Sequence, residues 1–97
     1  MNYRNVYRVL ATKKAIDVLI DICEGCKIEQ YLSFADLSCK YKMSKPSLRR
    51  LTNRLSRSGL VKSIKNKTSS DGRTRVYVVN DIDICEKIIS LTTDIAN

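Results

Sequence analysis

Ser44-Lys45-Pro46-Ser47-Leu48-Arg49-Arg50-Leu51-Thr52-Asn53-Arg54-Leu55-Ser56-Arg57-Ser58-Gly59-Leu60-Val61 is the stretch on which the reading of this chain turns. Ser44 is a helix-capping residue, because its side-chain oxygen can accept one of the free N–H groups of a first turn. Pro46 fits that first turn, where a missing N–H is harmless. Gly59 closes the helix and Leu60-Val61 returns the chain to the core. Leu48, Leu51 and Leu55 repeat along one side. At 100° per residue, Pro46, Arg49, Arg50, Asn53 and Arg57 fall on the opposite, outward side. The stretch predicts a helix with a leucine inner stripe and a cationic outer face.

Working upstream, Ser33 starts a shorter helix, with Asp36 three residues on as a capping-box analogue and Phe34, Leu37 and Tyr41 as its buried stripe. Tyr41-Lys42-Met43-Ser44 reads as the turn between the two. Residues 5–26 repeat apolar side chains at helical spacing: Val6, Val9 and Leu10, then Ala15, Ile16, Leu19, Ile20, Cys23 and Cys26. In that helix Lys14, Asp17, Asp21 and Glu24 form one narrow polar stripe, so the helix expects cover on more than one side. Gly25 reads as its terminus.

Downstream, Val61 to Lys65 predicts a strand, Asn66 to Gly72 a polar turn, and Arg73 to Val79 a second strand. Asn80 or Asp81 starts a last helix with two adjoining apolar stripes, Ile84, Ile88, Leu91, Ile95 and Ile82, Cys85, Ile89. One stripe serves the core, and the other implies a partner surface. The chain has no internal repeat, linker or low-complexity segment.

The 97 residues make one small domain. A chain of this size buries only roughly 60–65% of its unfolded surface and profits from a partner subunit. An apolar fraction of 43% and a charged fraction of 29% suit a folded globular chain. The longest apolar run is four residues, Val76 to Val79, so no membrane span is expected. The opening residues do not read as a signal peptide, and the expected location is cytoplasmic, nucleoid-associated, or the host cytoplasm for a viral chain. With no His and no Trp, most general-base and metal chemistry is excluded. No nucleophile–base pair or carboxylate pair converges on the basic region, so neither an enzyme nor a cofactor is expected.

The formal net charge of +8 is unevenly placed. Residues 40–75 hold twelve basic side chains against Asp71 alone, whereas residues 15–39 carry a net −4 and residues 76–97 a net −3. A basic block this concentrated is the electrostatic footprint of a nucleic-acid surface. The block is interrupted by Pro46, Gly59 and Gly72, which argues against one basic amphipathic membrane helix.

Helix, helix–turn–helix, hairpin, helix is the order of a winged helix-turn-helix domain, mainly α with a small β-hairpin (α+β). From Leu37 to Val79 the chain resembles the MarR-type transcriptional regulators. The resemblance rests on Leu37-Ser38-Cys39-Lys40-Tyr41-Lys42-Met43-Ser44, on the leucine spacing that leads to Gly59-Leu60-Val61, and on Asp71-Gly72-Arg73 at the wing tip. A weaker resemblance is to compact winged-helix proteins of archaea and their viruses. The resemblance implies a regulator that binds double-stranded DNA as a homodimer, with the first and last helices as the expected dimer contacts. Ser47, Arg49, Arg50, Asn53 and Arg54 would enter the major groove, where Arg pairs with guanine and Asn with adenine. Ser44 and Lys45 would meet phosphate. Arg73 would enter the minor groove, with Asp71 orienting Arg73 or Arg75, and Lys62, Lys65 and Lys67 would add phosphate contacts. Arg57 belongs to the same outward face.

Plainer readings stand beside these. Arg54 and Arg57 read equally as a solvated face or as partners of Asp and Glu, Asn53 as a surface amide, and Arg73 as a turn residue. A low-specificity chromatin-type binder and a protein–protein module both fit a basic winged helix. The cysteines, Cys23 and Cys26 in a C-x-x-C plus Cys39 and Cys85, lack the paired spacings of a zinc site, so no metal is expected. Small apolar packing residues, a disulfide, or a redox-sensing pair all remain as readings for them.

Overall fold

Side-chain oxygens start three of the helices in the structure, and glycine or a left-handed residue ends two of them. The computed structural model describes residues 13–65 and 75–96, the last five of these as backbone. Its elements, in chain order, are α1 (Lys13–Lys27), β1 (Leu32–Ser33), α2 (Phe34–Tyr41), α3 (Lys45–Arg57), β2 (Val61–Lys65), β3 (Arg75–Val79) and α4 (Ile82–Ala96).

At the start of α2 the Ser33 hydroxyl accepts the Asp36 N–H at 3.2 Å, and the Asp36 carboxylate accepts the Ser33 N–H at 2.9 Å. This reciprocal capping box satisfies two donors that a helix start otherwise leaves free. Lys42 then ends α2 in the left-handed region (φ 51°), its N–H donating to the Ser38 carbonyl at 3.1 Å. Ser44 caps α3 by accepting the Ser47 N–H at 3.3 Å, with Pro46 in the first turn. Gly59, at φ 85°, turns the chain out of α3 through a conformation that a Cβ would strain. The Asp81 carboxylate accepts the Ile84 N–H at 3.2 Å at the start of α4.

Leu48 and Leu55 of α3 are fully buried and Leu51 half-buried, as their spacing predicts. They meet Val18, Leu19 and Ile22 of α1, Leu37 of α2, Leu60 and Val61, Val79 of β3 and Cys85 of α4 in one core. Burial of these side chains is the dominant stabilising contribution, roughly 1.5–3 kcal/mol for each large one. Among the described residues the two buried hydroxyls are satisfied: Thr52 donates to the Arg49 carbonyl at 3.1 Å, and Ser58 donates to that of Leu55 at 2.6 Å. Asn80 closes the hairpin base, its side-chain amide donating to the Gly59 carbonyl at 2.6 Å and its N–H to that of Leu60 at 3.0 Å.

One expectation is extended by the structure and one is corrected. The β-structure is not a bare hairpin but a three-stranded antiparallel sheet in the order β1-β3-β2. Leu32 pairs with Tyr77 and Ser33 with Val76, while Val61 to Lys65 pair with Val79 to Arg75. Of the strand expected over Arg73 to Val79, Arg75–Val79 is described as β3, residues 73 and 74 lying outside the described residues. The expected stop at Gly25 is corrected: α1 runs through Gly25 to Lys27. The glycine is there because the backbone of Gln30 folds back onto it: a Cβ at position 25 would stand 2.6 Å from the Gln30 carbonyl oxygen. Val6, Val9 and Leu10, expected in the same helix, lie outside the described residues.

Candidate nucleic-acid interface

The outward face of α3 is as the helical spacing places it. Ser44, Lys45, Pro46, Ser47, Arg49, Arg50, Asn53, Arg54 and Arg57 are all exposed. Lys62 and Lys65 of β2 and Arg75 of β3 are exposed on the hairpin beside it. Lys67, Asp71 and Arg73, expected at the wing tip, lie outside the described residues. The Ser44 hydroxyl is committed locally, accepting from the Ser47 N–H and donating to the Ser47 hydroxyl at 2.9 Å.

Acids and bases are segregated across the fold. Among the described residues, the ion pairs are Lys27 with Glu24 at 3.3 Å, Lys27 with Glu86 at 2.5 Å, and Lys40 with Asp21 at 2.8 Å. None involves Arg49, Arg50, Arg54, Arg57, Lys62, Lys65 or Arg75. Reading Arg54 and Arg57 as partners of Asp or Glu therefore finds no support among these residues. Asp21 and Glu24 of α1 and Glu86 of α4 are engaged with Lys27 and Lys40, and no described carboxylate pairs with the α3–hairpin face. Such a face attracts a polyanion, the more so at low ionic strength.

Two recesses flank α3. One, of about 340 Å³, is lined by Ser47, Arg50, Leu51 and Arg54 of α3, by Met43, and by Lys13, Lys14 and Ala15 from the start of α1. The other, of about 490 Å³, lies between α3, the start of α2 and the hairpin, and includes Arg49, Asn53, Ser56, Ser63, Arg75 and Tyr77. Consecutive residues on a helix point 100° apart, so Arg49 and Arg50 serve opposite sides of α3. Arg49 lies with its guanidinium 4.5 Å from the centre of the Phe34 ring. Arg75 donates from Nε to the Ser63 hydroxyl and from Nη2 to the Ser63 carbonyl, both at 3.0 Å. Lys13, Lys14, Phe34 and Ser63 join the basic face only through tertiary structure. The positive charge of Lys13 and Lys14 was the sole sequence signal for any of the four.

On the far side, the Tyr41 hydroxyl donates to the Asp21 carboxylate, tying α2 to α1. Burial, followed by this hydrogen bond to a carboxylate, pushes the Tyr41 pKa well above the usual phenol value. The thiols are free: Cys23 and Cys85 are buried, Cys26 half-buried and Cys39 exposed. Cys26 Sγ accepts the Val79 N–H at 3.4 Å, and the Cys85 thiol donates weakly to the Leu60 carbonyl at 3.7 Å. Burial pushes Cys85 up to about 12 and also raises Cys23. Raised pKa values keep both as neutral, packed thiols rather than thiolates. Among the described residues no group of His, Cys, Asp or Glu is placed to hold a metal ion, and no helix is long and apolar enough to cross a membrane.

No protein-family model and no curated protein sequence matches the chain. Solved structures do match in three dimensions, and they establish a winged-helix fold. The chain is similar to MepR, a transcription regulator of the Staphylococcus aureus multidrug efflux pump MepA, with a TM-score of 0.65, 15% identity, and coverage of 88% of this chain and 60% of that one. It is similar to the adhesin competence repressor AdcR of Streptococcus pyogenes (TM-score 0.64, 16% identity, 86% of this chain and 54% of that one). It is also similar to the transcriptional regulator HlyU of Vibrio vulnificus (TM-score 0.66, 21% identity, 94% of this chain and 84% of that one). A MepR mutant that shares the likeness is solved bound to an oligodeoxyribonucleotide. The chain spans about three-fifths of the length of MepR and about half that of AdcR.

Proposed function

We propose that this chain is a sequence-specific, double-stranded DNA-binding transcriptional regulator that acts as a homodimer, with α3 in the major groove and the β2–β3 hairpin as a wing in the minor groove. The observation that carries the reading is the outward face of α3, where Arg49, Arg50, Asn53, Arg54 and Arg57 stand exposed and unpaired with any described carboxylate. Arg and Asn are the side chains that pair bidentately with guanine and adenine edges, each worth roughly 1–3 kcal/mol of discrimination. No large apolar side chain stands on that face, which disfavours a protein-docking role. The structural likeness to transcription regulators, one of them solved with DNA, supports the same reading.

Dimerisation is inferred from apolar surface on α4: Leu91 is 62% exposed, Ile84 38% and Ile82 36%. A second copy covers such a surface and, through the first and last helices, spaces two reading heads for half-sites roughly 10 bp apart. The reading assigns no catalysis and no cofactor, and it places the protein in the compartment that holds its DNA, the cytoplasm.

Selection from a random duplex pool at about 150 mM salt, where phosphate-only binding is weakened, tests the reading. An enriched inverted repeat is expected. Retention without enrichment replaces the regulator with a low-specificity DNA binder, and absence of retention removes DNA as the partner. On the enriched site, Arg50→Ala should lose about 10-fold or more in affinity, against a small loss on random duplex.

A further inference from the structure

Two arginines are held, by different means, around the larger recess beside α3. Arg49 is laid over the Phe34 ring, 4.5 Å from its centre. Arg75 is fastened by its two donor bonds to Ser63. Both line the same groove of about 490 Å³, with Asn53 and Tyr77, and no carboxylate of the described residues lines it. An arginine that grips a ligand normally loses its rotamer freedom on binding. Here much of that loss occurs on folding.

The stack decides what Arg49 can reach. Phe34 covers one face of the guanidinium and leaves its edge, the fork of N–H donors that matches the oxygens of a phosphate. The stack also draws Arg49 to the α2 side of α3. A duplex that takes α3 into its major groove presents a sugar–phosphate strand along the helix flank, whereas base edges lie at the helix apex. Arg75 approaches the groove from the wing.

We propose that this groove seats a backbone phosphate of the duplex, gripped by Arg49 and Arg75, and that Phe34 and Ser63 are positioning residues for those two arginines. The proposal rests on the DNA-binding reading and moves Arg49 from base readout, where sequence alone places it, to the backbone.

Binding to a random-sequence duplex, followed by fluorescence anisotropy over a salt series, tests it. Arg49→Ala and Arg75→Ala should each flatten the slope of log affinity against log salt by about 0.9, the value of one phosphate contact. Phe34→Leu should weaken binding by about 2- to 5-fold, the size of an exposed cation–π contact. In an Arg49→Ala background the same change should have no effect, and Phe34→Tyr should retain wild-type affinity. A Phe34→Leu loss of equal size in both backgrounds overturns the positioning role. An Arg49→Ala slope equal to wild type, with relaxed base preference on the selected site, overturns the phosphate seat while leaving the regulator reading intact. Failure of the wild type to bind any duplex overturns both. Should Phe34→Leu fail to fold by circular dichroism, the slopes of the two exposed arginine variants decide the matter.

Discussion

Gly25→Ala should destabilise the protein, although helix propensity alone predicts the reverse. Replacing a mid-helix glycine by alanine normally stabilises a helix by roughly 0.5–1 kcal/mol. Gly25 lies within α1, two residues before its end, and is buried. The new methyl would stand 2.6 Å from the Gln30 carbonyl oxygen, a backbone atom, with the Leu32 side chain 3.8 Å away. Relief requires the backbone around Gln30 to move by several tenths of an ångström. That same backbone donates from the Gln30 N–H to the Gly25 carbonyl at 2.9 Å and leads directly into β1. Forced overpacking costs roughly 1–3 kcal/mol, and weakening the hydrogen bond adds about 0.5–1.5 kcal/mol. Set against the propensity gain, the net loss is about 1–3.5 kcal/mol, at roughly 4–8 °C of thermal midpoint per kcal/mol for a domain of this size. Thermal unfolding followed by circular dichroism measures it, with the exposed neighbour Glu24→Ala as a control that should change stability by no more than about 0.5 kcal/mol. A Gly25→Ala protein at least as stable as wild type would refute the argument, because the return loop would then yield without cost.

Other outcomes follow from individual contacts. Ser44→Ala removes the α3 cap and should cost about 1 kcal/mol in denaturant unfolding. In native protein, iodoacetamide at pH 8 should label the exposed Cys39 while Cys23 and Cys85 remain unmodified until unfolding, as mass spectrometry would show. Because the folded state holds the Cys85 proton up to about pH 12 against an ordinary value of 9.0, the stability it contributes is complete below pH 9 and is lost between pH 9 and 12. The stability advantage of wild type over Cys85→Ala should accordingly shrink across that range in denaturant titrations. Combined Ile84→Glu and Leu91→Glu, both on exposed positions of α4, should shift the mass in light scattering from dimer to monomer. A double mutant that stays dimeric would move the interface to α1.

The local signals in the sequence were read correctly wherever one residue type had one physical use. Ser33, Ser44, Pro46 and Gly59 marked helix starts and stops because capping, ring constraint and positive φ leave few alternatives. Leu48, Leu51 and Leu55 gave the inner face of α3 by spacing alone, and with it the outward arginines. What escaped was non-local. β1 is two residues long, too short for any alternation, and exists only because β3, more than forty residues on, pairs with it. Gly25 was misread as a stop because glycine carries the same letter whether it supplies conformational freedom or mere absence of a side chain. The Phe34 stack under Arg49, and the approach of Lys13 and Lys14 to Arg50 and Arg54, depend on how helices cross. No spacing rule within one helix encodes that.

The two Asn80 hydrogen bonds, to the carbonyls of Gly59 and Leu60, have a mechanical consequence. They fasten the root of the hairpin to the exit of α3, so helix and wing keep a constant pitch. On the proposed reading, each copy is then one arm of a pair of calipers, α3 and the hairpin root moving as one piece while the gap between copies is set elsewhere. Control of DNA engagement in such a device lies at the joint between copies, where α4 presents its apolar side chains.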